Sequence, residues 1–172
     1  MINPFKKTYT TKDQNFFKFL SKIRLFGQLT YDEMALFEPF FYLRTYNAEE
    51  VVFFRNDPSN ALYVVKSGKI SLAIDLKEDF EHLITLRSGQ SFGENSLLKQ
   101  TTRVYNALVI SDRAELYVLP RVNLEEILES HSKIKAKMLE SLAFHYNELN
   151  TNLVKTYKSS YGFFNLAQIF GE

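Results

Sequence analysis

The spacing of hydrophobic residues changes period twice along this chain, and no other feature constrains its fold as much. From Gln14 to about Phe41 the apolar residues recur at helical spacing, as Phe16, Phe19, Leu20 and Ile23, then Met34, Phe37 and Phe41. Gly27 separates the two runs, and Thr30 with Glu33 three residues later reads as a capping box. This predicts two or three short helices. From about Leu43 to Leu119 the period falls to two, in the short runs Val51–Phe54, Leu62–Val65, Ile70–Leu76, Leu83–Leu86, Val104–Ile110 and Leu116–Leu119. Turn residues punctuate them at Asn56–Asn60, Ser67–Lys69, Lys77–Asp79, Ser88–Gly89 and Ser111–Asp112. Evenly spaced short strands predict an antiparallel jelly roll or small barrel, in an α+β chain.

From Pro120 the helical period returns. Asn123 and Glu126 suggest a second capping box, Leu124, Ile127 and Leu128 share a face, and Ser130-His131-Ser132 breaks and restarts the helix. Beyond it Leu139, Leu142, Tyr146, Leu149, Leu153 and Thr156 follow steps of three and four, the spacing of a coiled-coil seam. Two outcomes fit that seam: a parallel homodimer, or a long helix folded back on its own barrel. The chain therefore divides into an N-terminal helical segment (1–42), a β-roll (43–119), C-terminal helices (120–158) and a tail (159–172). Phe163, Phe164, Leu166, Ile169 and Phe170 in that tail need a cover.

Composition narrows the function classes. The 172 residues suffice for one domain with a substantial core, and 45% apolar residues exclude a disordered chain. A net charge of +1 sets up no strong field toward nucleic acid or an anionic membrane. With no cysteine there is no disulfide and no thiolate chemistry, which fits a cytoplasmic protein. No apolar run approaches the ~18 residues of a membrane span, and the start of the chain lacks a secretory h-region. No catalytic or metal-ligating set emerges either. The three histidines are His82, His131 and His145, two of them in the helical tail, and neither a Gly-x-Ser-x-Gly nor a P-loop pattern is present. A non-enzymatic binding module is the expectation.

The chemistry concentrates in Ser88-Gly89-Gln90-Ser91-Phe92-Gly93-Glu94-Asn95-Ser96-Leu97-Leu98, with Arg103 shortly after. A turn that opens onto a helical start gathers free N–H groups, a ready anion site. Beside it, a carboxylate and a guanidinium suit a ligand with a hydroxyl at one end and a phosphate at the other. Phe92-Gly93-Glu94, Ser96-Leu97-Leu98 and Arg103 resemble the phosphate-binding cassette of the cyclic nucleotide-binding domain family. The chain as a whole is similar to the sensor half of catabolite-activator-type regulators. The resemblance covers roughly Phe16 to Leu149, and Gly68 and Gly89 fall where that family places turn glycines. It implies that Arg103 binds the cyclic phosphate, Glu94 accepts the ribose 2′-hydroxyl, and Gly93 lets the backbone approach the sugar. Backbone N–H groups of Ser96 and Val104 would complete the phosphate shell. Val104 lacks the hydroxyl that often accompanies cyclic GMP preference, so cyclic AMP is the expected ligand and no further cofactor is implied. The long C-terminal helix would close over the base, with Asn147, Asn150 and Thr151 near the right depth.

Three positions depart from the cassette pattern: Asn95 for an aliphatic residue, Thr102 for proline, and Tyr105 for a small residue. By strand alternation Tyr105 shares the face of Arg103, where it either projects into the ligand's space or packs below it. Two readings follow. One is a cyclic-nucleotide sensor that moves its C-terminal helix, stand-alone or as the sensor fragment of a transcription regulator. The other is a degenerate module that binds no ligand and serves as a protein-interaction or dimerisation domain. Nothing after Thr156 supplies a DNA-binding helix-turn-helix, so direct DNA contact by this chain is not expected.

Overall fold

The computed structural model describes residues 8–76 and 79–161. The chain opens with α1 (Thr11–Leu20), whose Thr10 side chain accepts from the Asp13 N–H while the Asp13 carboxylate accepts from the Thr10 N–H. That reciprocal pair satisfies two N–H groups that a helix start leaves open. Phe17 and Leu20 are its fully buried residues, so the buried stripe lies one position away from Phe16 and Phe19, which are partly covered. A 3-10 turn at Arg24–Phe26, the one-turn helix α2 (Tyr31–Met34) and a second 3-10 turn at Glu38–Phe40 complete the N-terminal segment. The expected Thr30–Glu33 capping box is present.

Eight strands follow: β1 (Tyr42–Asn47), β2 (Val51–Phe53), β3 (Ala61–Ser67), β4 (Ile70–Leu76), β5 (Asp79–Leu86), β6 (Ser91–Phe92), β7 (Asn106–Val109) and β8 (Arg113–Pro120). They form two antiparallel sheets, β1-β8-β3-β6 and β2-β7-β4-β5, so the jelly-roll expectation is met. Asn56, in the first of the turn segments, takes the left-handed conformation that asparagine tolerates, at φ 69°. Two strands were not visible as period-two runs. β1 is exposed along nearly its whole length, and β6 is only two residues long. In the other direction, the expected run Val104–Ile110 loses its start, because the chain bends through Val104 and Tyr105 before β7 begins. Between the sheets lies a core of Phe53, Val65, Ile70, Leu72, Phe92, Val109 and Leu116.

α3 (Arg121–Ser130) and α4 (Ser132–Tyr161) end the described chain. The Asn123 capping box does not form. Pro120 is the N-cap, and the Arg121 N–H donates instead to the Asn60 carbonyl at 2.8 Å. The break at His131 is where the sequence places it. α4 begins by packing on its own barrel: Ile134, Met138 and Leu142 join Phe17, Phe26, Phe37, Leu62 and Leu124 in a second core. Of the seam residues, Leu142 is buried in this core and Leu139 half-buried, whereas Tyr146, Leu149 and Leu153 are exposed. The apolar tail residues from Phe163 onward lie outside the described residues. Among the described residues no helix is long and apolar enough to cross a membrane.

Candidate functional site

The site forms where β6 runs into a 3-10 turn at Glu94–Leu97. Gly93 begins that turn with φ 76°, a conformation costly for any residue with a Cβ. A Cβ at this position would also collide with Nη1 of Arg103. Glycine is therefore required twice, by backbone conformation and by the close approach of the guanidinium.

Arg103 is 3% exposed and makes no ion pair among the described residues. Its Nη2 donates to the Ala61 carbonyl at 2.7 Å, and its Nη1 to the Gly93 carbonyl at 3.2 Å and to Asn95 Oδ1 at 3.3 Å. The guanidinium carbon lies 4.2 Å from the Phe53 ring centroid and 5.5 Å from that of Tyr63. Its Nε is buried without a partner. Burial pulls the guanidinium pKa below its ordinary value, against the pull of Tyr63, Tyr105 and Glu94. The cation is held by two backbone carbonyls, the Asn95 amide oxygen and two ring faces.

Asn95, the first departure from the cassette pattern, holds the loop together. Its Nδ2 donates to the Thr102 carbonyl at 2.6 Å, and its Oδ1 also accepts from Ser59 Oγ at 2.8 Å. The Arg103 N–H reaches the Asp57 carbonyl at 2.8 Å, so the loops at 56–60 and 101–103 are zipped together. Glu94 accepts from Ser91 Oγ at 3.0 Å. Ser96 is buried with its hydroxyl unpartnered, and Phe92 is stacked on Tyr63 in the barrel core. Tyr105 accepts the Gly93 N–H on its hydroxyl at 3.3 Å. Burial first, then Glu94, pushes the Tyr105 pKa up, so the phenol keeps its proton.

Beside these residues opens a cavity of about 770 Å³. Leu72, Leu83, Ile84 and Leu86 wall it from the β4–β5 hairpin, and Glu94, Asn95, Val104 and Tyr105 from the cassette. His145, Tyr146 and Leu149 reach it from α4, and Lys22 and Arg24 from the N-terminal segment. Of the expected ligand residues, Glu94, Asn95, Val104 and Tyr105 therefore line the cavity, whereas Phe92, Gly93, Ser96 and Arg103 do not. The residues expected to contact the base do not line this cavity. Asn147, Asn150 and Thr151 are exposed and off the cavity, because each helical step turns about 100° and carries them past the face that Tyr146 and Leu149 present. Arg24 clasps that part of α4, pairing with Glu148 and lying 3.1 Å from His145 Nδ1. Tyr146 on α4 and Glu94 of the cassette line the same cavity, and burial first, then Glu94, raises the Tyr146 pKa. Among the described residues, no group of three or more His, Cys, Asp or Glu side chains is placed to hold a metal ion.

Similarity to known proteins agrees with this geometry. Residues 43–131 match the family described as cyclic nucleotide-binding domain. Glutaminase 1 of Bradyrhizobium diazoefficiens is 30% identical over 125 residues, 72% of this chain and 19% of that protein. The cyclic AMP receptor protein of Thermus thermophilus is 30% identical over 130 residues, 75% of this chain and 60% of the receptor. The chain thus spans under two thirds of either relative. Among solved structures, the catabolite activator protein of Thermus thermophilus superposes with a TM-score of 0.65 at 28% identity, covering 77% of this chain and 62% of its own. With the β-roll, the cassette turn and the match over residues 43–131 all in one place, this chain belongs to the cyclic nucleotide-binding domain family.

Proposed function

We propose that this chain is a non-catalytic, cytoplasmic cyclic AMP sensor that reports ligand through α4. The observation that carries the reading is Arg103, a buried cation with no carboxylate partner among the described residues and with Nε unsatisfied. Burying an unpaired charge is costly, and an incoming anion relieves that cost. Glu94, on the cavity wall, is placed to accept a ribose hydroxyl, while Val104 offers none of the hydroxyl chemistry that would favour guanine. α4 contributes His145, Tyr146 and Leu149 to the same cavity, so a ligand filling it presses directly on the helix. The exposed Leu153 and the neighbouring Val154 leave the outer part of α4 open to a second copy, and a homodimer through that part is included in the proposal.

The test of the site is a comparison of two ligands. Glu94→Ala should weaken cyclic AMP roughly tenfold while leaving 2′-deoxy cyclic AMP nearly unchanged, because only the first has the hydroxyl to lose. Equal weakening of both would remove Glu94 from the ribose. A second reading, a module that keeps the fold but binds a protein, is favoured by the absence of Arg103 from the cavity wall. It predicts that neither nucleotide binds.

A further inference from the structure

We propose that Tyr105 sets the affinity of this site by standing in for the ligand, an inference that rests on the anion-binding reading above. The peptide of Gly93 is clamped from both sides. Its N–H donates to the Tyr105 hydroxyl at 3.3 Å, and its carbonyl accepts from Arg103 Nη1 at 3.2 Å. Both clamping groups use the same surface. The guanidinium lies 4.2 Å from the Phe53 centroid, and the Tyr105 ring lies 6.0 Å from it.

Tyr105 reaches the cavity and Arg103 does not. The protein thus presents a phenol at the Gly93 N–H, with the cation held beneath. For the guanidinium to meet a phosphate in the cavity, it must move out from behind the wall, and Tyr105 must give up the Gly93 N–H. The closed arrangement is self-consistent, because the phenol is half-buried on Phe53 and hydrogen-bonded to the Gly93 N–H. A ligand therefore binds only the fraction of molecules in which the clamp is open, and its apparent affinity falls by that fraction. A small residue at 105 removes the competitor, whereas a tyrosine makes the site respond only to higher ligand concentrations.

Two measurements on the full chain test this, one without ligand. In the empty protein, hydrogen exchange at the Gly93 amide should be several-fold faster in Tyr105→Phe than in wild type, with the β3–β8 amides unchanged. Unchanged Gly93 exchange would show that the clamp is absent and overturn the proposal whatever the ligand does. By calorimetry, cyclic AMP should bind roughly three- to tenfold more tightly to Tyr105→Phe, and more tightly still to Tyr105→Ala. Weaker binding by both variants would make Tyr105 a ligand contact and overturn the proposal. Equal binding by all three proteins would overturn it too, yet leave the cyclic-nucleotide reading standing. If Gly93 exchange responds but no protein binds any cyclic nucleotide, the cyclic-nucleotide reading itself fails, and the affinity role falls with it.

Discussion

The two cores of this protein contain different chemistry. The core under α1, α3 and α4 closes around Phe17, Phe26, Phe37, Met138 and Leu142, with charge confined to its rim. The core between the sheets also buries phenylalanine and aliphatic residues, but it admits a guanidinium against Phe53 and Tyr63. Each fully buried apolar side chain stabilises the fold by about 1.5–3 kcal/mol. An unpaired buried cation works the other way. The helical core is therefore organised for stability, and it anchors the first half of α4. The barrel core instead accommodates a charged group, held by the Ala61 and Gly93 carbonyls and Asn95 Oδ1. The distal half of α4, beyond Leu142, belongs to neither core: it spans the cavity and is tied by the Arg24 clasp.

The largest effect should come from breaking the helical core. Phe37 is fully buried and meets Phe26 edge-on at 5.5 Å. Phe37→Ala should cost about 3–5 kcal/mol in denaturant unfolding. A loss under about 1 kcal/mol would mean that α4 is not anchored as described. A smaller effect belongs to the rim of the same core, where Lys137 on α4 meets the Glu33 carboxylate at 2.7 and 2.8 Å. Burial raises the Glu33 pKa, but Lys137 and the Thr30 N–H outweigh it and hold it below the ordinary 4.5. A carboxylate with a depressed folded pKa contributes its stability above the unfolded value and loses it as pH falls through the folded one. Thermal scans should therefore show a decline below about pH 4.5 that is shallower in Glu33→Gln, a variant expected to cost about 1 kcal/mol at neutral pH. Parallel pH curves for the two proteins would remove this pair from the account.

The sequence discloses this architecture unevenly, and the reasons are physical. Helical period exposes α3, with its one buried face, and the break at His131, while short apolar runs expose β3 and β4, whose buried residues are consecutive. Neither signal exposes β1, whose pairing with β8 is almost wholly exposed and so shows no alternation. Gly93, Glu94 and Arg103 are legible because Phe92-Gly93-Glu94 and the interval to Arg103 resemble the family's cassette, since a lone arginine carries no mark of its own. The role of Asn95 is not, since its partner Ser59 lies 36 residues away. Tyr105 was visible as an oddity but not as a clamp, because the bend before β7 replaces the strand alternation that sequence alone suggests. Which α4 residues line the cavity was illegible for a similar reason: the phase of a long helix is set by what it packs on, and Met138 and Leu142 fix that phase well before Asn147.

The central claim is that Arg103 is held in reserve for an anionic ligand, and calorimetry on wild type and Arg103→Met tests it directly. Methionine fills the space between Phe53 and Tyr63 without a charge, so its loss of two carbonyl partners is offset by removal of a buried cation, and melting should stay within about 5 °C of wild type. The account predicts saturable binding of cyclic AMP to wild type at one site per chain, and at least tenfold weaker binding to the folded Arg103→Met protein. Equal affinity in the two proteins, or a methionine variant that no longer folds, would show that the guanidinium serves the barrel rather than the ligand.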